Sequence, residues 1–203
     1  AEADVRRSLD IAPEDQVFLA VGGLAPHKNL DRLVRAFAAL VRKRGEAGLR
    51  LVLVGGGKAD VFHSDRERLA AVAKEEGLGA RVVFAGFVPD DRLAHLYRLS
   101  TALCFPSLLE GFGLPALEAM ACGTAVVASD HGSLPEVVGD VGYVFPARSV
   151  DALATTLERV LADPEERGSR ASRGPGRAAM FRREDAARTL FDVFDGLASP
   201  SRG

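Results

Sequence analysis

The sequence predicts an α/β protein built as a doubly wound, Rossmann-like parallel sheet with helices on both faces. Three observations carry that prediction. Six apolar runs are short and mostly unbroken, as strands buried on both faces must be. Longer segments of helical period alternate with them. Glycine-containing loops follow the runs, so they share one rim, outside the carboxyl ends of the strands, where such sheets bind ligands.

Strands are expected at Gln16–Val21, Arg50–Val54, Arg81–Ala85, Ala102–Phe105, Ala125–Ala128 and Gly142–Phe145. Helices are expected at Asn29–Arg44, Ser64–Glu76, Asp90–Leu99, Pro115–Ala121, Val150–Ala162 and Glu184–Leu197. In the first of these, Leu30, Leu33, Val34, Phe37, Leu40 and Val41 mark one apolar stripe, with Asn29 placed to cap it. Residues 1–15 read as a polar lead-in or interdomain linker of one or two helical turns, 16–198 as the domain, and 199–203 as a frayed tail. Arg167, Arg170, Arg173, Arg177, Arg182 and Arg183 crowd one segment. That segment reads as solvated or flexible, with contact to an acidic membrane surface as the sharper alternative.

A length of 203 residues suits one domain with a full core, and 47% hydrophobic with 27% charged residues is ordinary for a globular chain. The net charge of -2 gives no reason to expect nucleic acid as a partner. Cys104 and Cys122 lie in apolar contexts, with no C-x-x-C and no zinc spacing. His27, His63 and His95 show no metal-ligand pattern, and no Asp-x-Asp cluster suits a divalent ion on a diphosphate. No apolar run approaches the roughly 20 residues needed to cross a bilayer. These readings predict a cytoplasmic protein that is metal-independent and holds no cofactor.

The segment Glu110-Gly-Phe-Gly-Leu-Pro-Ala-Leu-Glu118 sets two carboxylates around a glycine-rich turn that enters a helix. Pro115 suits the first helical position, and Gly111 and Gly113 leave the preceding amides uncovered. Free N–H groups at the positive end of a helix dipole attract an anion. A phosphate bound there would be flanked by two acceptors suited to hydroxyl groups. A ligand with hydroxyls on both sides of a phosphate is a nucleotide sugar.

Here the sequence resembles a family. The Glu-x7-Glu pattern within PSLLEGFGLPALEAMACGTAVVASD looks like the signature of retaining glycosyltransferases of the GT-B fold, family 4 type. Val21-Gly-Gly-Leu-Ala-Pro-His-Lys28-Asn29 looks like that family's first strand and phosphate-contacting loop. Leu51–Gly57, Val83–Val88 and Ser133–Gly142 follow in the family's order, so the resemblance runs from about Val17 to Leu197. It implies the C-terminal, donor-binding half of a GT-B enzyme, with the N-terminal acceptor domain absent and required as a partner.

The resemblance also implies roles. Gly22, Gly23 and Lys28 would meet the diphosphate, the ammonium neutralising charge as the nucleotide leaves. The family commonly has an arginine where this chain has Gly23. Glu110 would face the transferred sugar, and Glu118 the ribose hydroxyls. The amides of Gly111, Phe112, Gly113 and Leu114 would hold the sugar hydroxyls and distal phosphate, and Val88 would read the base edge. The ring of Phe112 is read equally as a core anchor or a donor-pocket wall. Gly55–Gly57 reads as a plain turn or a ligand loop, and His131 as a structural or solvent contact rather than a base. The implied donor is GDP-mannose or a UDP-hexose, and the implied reaction retaining hexosyl transfer. A non-catalytic nucleotide-sugar-binding module is the alternative, kept open by Gly23. A nicotinamide-dependent dehydrogenase needs a G-x-G-x-x-G turn, which Gly55-Gly-Gly57-Lys-Ala-Asp does not supply.

Overall fold

The computed structural model describes residues 2–45, 48–55 and 65–198. Its strands are β1 (Gln16–Val21), β2 (Leu49–Val54), β3 (Val82–Gly86), β4 (Ala102–Phe105), β5 (Val126–Ser129) and β6 (Tyr143–Phe145). They form one six-stranded sheet in the order β3-β2-β1-β4-β5-β6. Every pairing is parallel. The expected strands are therefore present, with ends moved by a residue or so. The order runs outward from β1 in both directions, which is the doubly wound arrangement with its reversal between β1 and β4.

The helices are α1 (Glu2–Ser8), α2 (Leu30–Arg44), α3 (Arg66–Glu75), α4 (Asp90–Leu99), α5 (Leu114–Ala121), α6 (Leu134–Val138), α7 (Val150–Ala162), α8 (Pro164–Ala178) and α9 (Arg183–Ala198). Side chains of β1 alternate between the two faces. Phe18 and Ala20 join a core with Leu33, Phe37 and Leu40 of α2, Leu69 of α3 and Leu157 of α7. Val17 and Leu19 join a second core with Val5 of α1, Leu96 of α4, Ala116 of α5 and Val137 of α6. Phe18 meets Phe37 edge-on at 6.2 Å between ring centres, a geometry that adds roughly 0.5–1.5 kcal/mol to the burial itself.

Three expectations change. The lead-in is docked: Val5 and Ile11 are buried in the second core, and α1 packs on α4. Asn29 precedes α2 as expected but does not cap it, because it adopts φ 58° and makes no side-chain cap bond. Its amide is drawn to two loop carbonyls instead. The arginine-rich stretch is a helix, α8, rather than a flexible segment. Arg167 donates to Val160 O, Arg170 to Asp140 O and Gly142 O, and Arg177 to Val137 O. Arg173 pairs with Asp140 at 2.5 Å. Arg182 donates to Ala179 O at 3.3 Å, so five of the six arginines have internal partners.

Candidate functional site

The loops after β1 and β4 meet at the reversal of the sheet, and buried polar contacts hold them together. Beyond β1, Gly22 takes φ 135° and a 3-10 turn covers Pro26–Lys28. Asn29 is buried, and its Nδ2 donates to Pro106 O and to Ala147 O, each at 2.9 Å. Leu108 N donates to His27 O at 2.8 Å. A polar side chain with two satisfied amide protons is a strong tether inside a protein. It fixes the β1 loop against the loops after β4 and β6.

Gly22, Gly23, Lys28, Phe105, Pro106 and Ser107 line the crevice between these loops, whose free volume is about 10 Å³. The Lys28 ammonium lies 2.6 Å from Glu110 Oε1 and 5.5 Å from the centre of the Phe105 ring. Those side chains are only 19% (Lys28) and 12% (Glu110) exposed, so the ion pair is largely shielded. Ser107 is buried in the same wall, and its hydroxyl has no hydrogen-bond partner among the described residues. Gly55 has a structural reason to be glycine. A side chain on it would overlap Gly22 O, so it exists to let the β2 end approach β1. Gly56 and Gly57 lie outside the described residues, as do His63 and Ser64.

Past Glu110 the chain turns at Gly113, whose φ of 98° is a left-handed value that glycine tolerates. A Cβ there would come within 2.8 Å of Leu134. No side chain caps α5. The backbone N–H groups of Gly111, Phe112, Gly113 and Leu114 find no acceptor among the described residues. They stand at the positive end of the α5 dipole, which suits an anion. The β5 loop braces this turn from behind: a Cβ on Gly132 would meet Glu110 O at 2.9 Å, and Ser133 Oγ donates to Phe112 O at 2.9 Å.

Asp130 accepts from Ala147 N at 2.9 Å and lies 2.7 Å from His131 Nδ1. The Ala147 amide, and then His131, hold its carboxyl below the usual range. His131 is thus a partner of Asp130, as expected of a structural contact. Of its two readings, Phe112 does not take that of a core anchor. Its ring is 45% exposed and lies edge-on to Phe181 at 5.8 Å, because the turn carries it away from the sheet.

The remaining two candidates lie against α4 instead of lining the Lys28 crevice. Val88 shares a cleft of about 160 Å³ with Val5 and Leu9 of the lead-in, Phe87, Pro89 and Arg92. Glu118, exposed on α5, borders a cleft of about 330 Å³ against α4 with Asp90, Leu93 and Tyr97. Tyr97 donates its O–H to Glu118 Oε2 at 2.8 Å. Sequence reasoning did not single out Tyr97, Ser107 or the tethering amide of Asn29. Tyr97 reads as one more member of the α4 apolar stripe, and only the packing of α4 on α5 brings it to Glu118. Among the described residues, no cluster of His, Cys, Asp and Glu could hold a metal, and no helix is long and apolar enough to cross a membrane.

A parallel sheet of this order, with a glycine-lined crevice and open helix amides at its reversal, defines a Rossmann-like domain of the GT-B kind. The family model described as glycosyl transferases group 1 matches residues 2–176, and the chain belongs to that family. It is 34% identical over 191 residues to a D-inositol 3-phosphate glycosyltransferase of Rhodococcus opacus (strain B4), covering 93% of this chain and 43% of the relative. An O-antigen chain mannosyltransferase B of Escherichia coli is 36% identical over 180 residues, covering 87% and 45%. The chain therefore spans less than half the length of these curated relatives. Among solved structures, sucrose-phosphate synthase from Thermosynechococcus elongatus superposes with a TM-score of 0.82 at 33% identity, over 96% of this chain and 48% of that one. The C-terminal domain of a glycosyl transferase group 1 family protein from Francisella tularensis gives 0.74 at 26%, over 89% and 92%.

Proposed function

We propose that this chain is the donor-binding domain of a retaining glycosyltransferase, which transfers a hexose from a nucleotide diphosphate sugar to an acceptor. One observation carries the reading: Lys28 and Glu110 meet at the sheet reversal, beside the unpaired amides of Gly111–Leu114. A diphosphate leaving group gathers negative charge as the sugar–oxygen bond breaks. An ammonium and fixed amide dipoles stabilise that charge without reorganising. The carboxylate of Glu110 faces the other product of the same cleavage, a sugar carbon growing positive. Glu118 accepts from the ribose hydroxyls, and the backbone at Val88 borders the base. The relatives' names point to transfer among sugars and inositol phosphate, which fits GDP-mannose or a UDP-hexose as donor.

In this proposal the acceptor contacts and the catalytic base come partly from an N-terminal domain, so the isolated chain binds donor and turns over little. The donor meets Lys28 and amides directly, with no metal between, in a cytoplasmic setting. A non-catalytic nucleotide-sugar module is the second reading. Its support is Gly23, where a side chain would meet nothing within 4 Å. A Cβ has room at this position, and the family's arginine is not there.

Titration calorimetry with UDP and GDP, with and without EDTA, tests the proposal. Binding of either diphosphate that survives EDTA is the expected result. Strict dependence on a divalent ion would overturn the metal-free reading, and no binding by either nucleotide would overturn the donor site itself.

A further inference from the structure

We infer that Tyr97 is a positioning residue of the donor site, holding one oxygen of Glu118 so that the other is free to accept from a ribose hydroxyl. The inference rests on the proposed role of Glu118. Tyr97 is buried at 2% exposure, yet its O–H reaches out to Glu118 Oε2 at 2.8 Å. Its backbone is clamped as well, because Tyr97 O accepts from Thr124 Oγ1 at 2.8 Å and from Ser100 N at 3.0 Å. The donor is therefore rigid. Glu118, by contrast, stands exposed on α5 at the edge of the α4–α5 cleft, and its Oε1 has no partner among the described residues.

A free surface glutamate samples many rotamers, and ordering it on binding costs affinity. One bond from a rigid phenol removes most of that cost before the ligand arrives. Burial, reinforced by the Glu118 charge, pushes the Tyr97 phenol far above its ordinary range. The group therefore stays protonated and remains a donor to the carboxylate. The acceptor that remains faces a cleft bordered by Asp90, Leu93 and Ala121.

The test measures UDP and GDP, each beside its 2′,3′-dideoxy form, on the parent, Tyr97→Phe, Glu118→Gln and the double variant. Tyr97→Phe keeps the ring in the core and removes only the hydroxyl. It is expected to weaken the ribonucleotide about 3- to 10-fold, the worth of one neutral-to-charged hydrogen bond made indirect. The dideoxy form should hardly change, so the gap between the two narrows. Once Glu118 is Gln, removing the Tyr97 hydroxyl should add nothing further. Glu118→Asp, whose carboxylate falls short of Tyr97, should narrow the gap too if Tyr97→Phe folds poorly. A Tyr97→Phe protein that loses both forms equally would make the tyrosine merely structural. An unchanged ribonucleotide affinity beside a weakened Glu118→Gln would overturn the inference alone. Absence of any nucleotide binding by the parent would overturn the donor-site reading, and this inference with it.

Discussion

Lys28 and Glu110 are each other's counter-charge, 2.6 Å apart on loops 82 positions distant in sequence. The pair sets the sign of two substitutions. Lys28→Ala removes a charge-assisted contact to phosphate worth about 1.5–3 kcal/mol, so UDP or GDP should bind roughly 10- to 150-fold more weakly. The nucleoside, which carries no phosphate, should bind nearly as before. Glu110→Gln acts the other way on the free diphosphate, because it removes the carboxylate that competes for the ammonium. That variant should bind the diphosphate at least as tightly as the parent and the nucleotide sugar less tightly. Calorimetry on the two ligands separates the cases, and equal losses in both variants would refute these roles. Both residues were legible in the sequence, since a glutamate before a glycine turn and a lysine on a strand-end loop carry local signals. Their contact was not, because it depends on β1 and β4 becoming neighbours. Asn29 shows the opposite failure. Its residue type and place before α2 spelled a cap, but its Oδ1, the capping acceptor, takes a bond from Arg32, and its amide protons go to the buried carbonyls of Pro106 and Ala147.

Among the elements, the sequence concealed two helices, the five-residue α6 and the longer α8. Gly168, Gly174, Pro175 and Gly176 give α8 poor intrinsic helix propensity, since glycine and proline oppose helix by about 1 and 3 kcal/mol each. Tertiary packing overrides that preference. Asp163 caps the helix by accepting from Glu166 N at 2.8 Å, and α8 then packs against α5. Gly174 sits at the closest approach, where a Cβ would lie 2.9 Å from Met120 O and 3.2 Å from Met120 Cα. Gly168 faces open space, with nothing within 4 Å. The same substitution should therefore have opposite signs at two sites in one helix. Gly168→Ala gains helix propensity and should stabilise by about 0.5–1 kcal/mol. Gly174→Ala gains the same propensity but pushes α8 off α5, a strain of about 1–3 kcal/mol that should leave it net destabilised. Urea unfolding of both variants checks this. A stabilised Gly174→Ala would mean that the two helices can part without cost. The strands and α2, by comparison, were plain from sequence because their patterns agree with their packing: continuous apolar runs for a sheet covered twice, and a single stripe for a helix covered once.

Across the whole molecule, the sheet order decides where the loops converge, while charged contacts fasten the outer layer to the sheet and to itself. Glu76, at the end of α3, accepts from Arg35 and Arg42 of α2, each at 2.8 Å. The Arg42 hydrogen bond, then that of Arg35, holds the Glu76 carboxyl below its ordinary value of 4.5. Asp130 is held below 3.8 by the Ala147 amide and then by His131, which fastens the β5 loop behind the candidate site. Both groups are depressed in the folded chain, so the unfolded chain binds protons more readily in acid. Their contribution is complete above the ordinary carboxylate values and is lost as pH falls through the lowered folded ones. Stability to urea should thus hold steady from neutrality down to about pH 5 and decline below it. Glu76→Gln isolates one part of that decline. At neutral pH it should cost at most about 1 kcal/mol, because Arg42 and Arg35 are 61% and 43% exposed and water screens the pair. Once the pH falls below the lowered folded value the parent carboxyl is neutral too, so the two proteins should converge. A deficit that persists undiminished in acid would show that Glu76 works through its packing and not its charge.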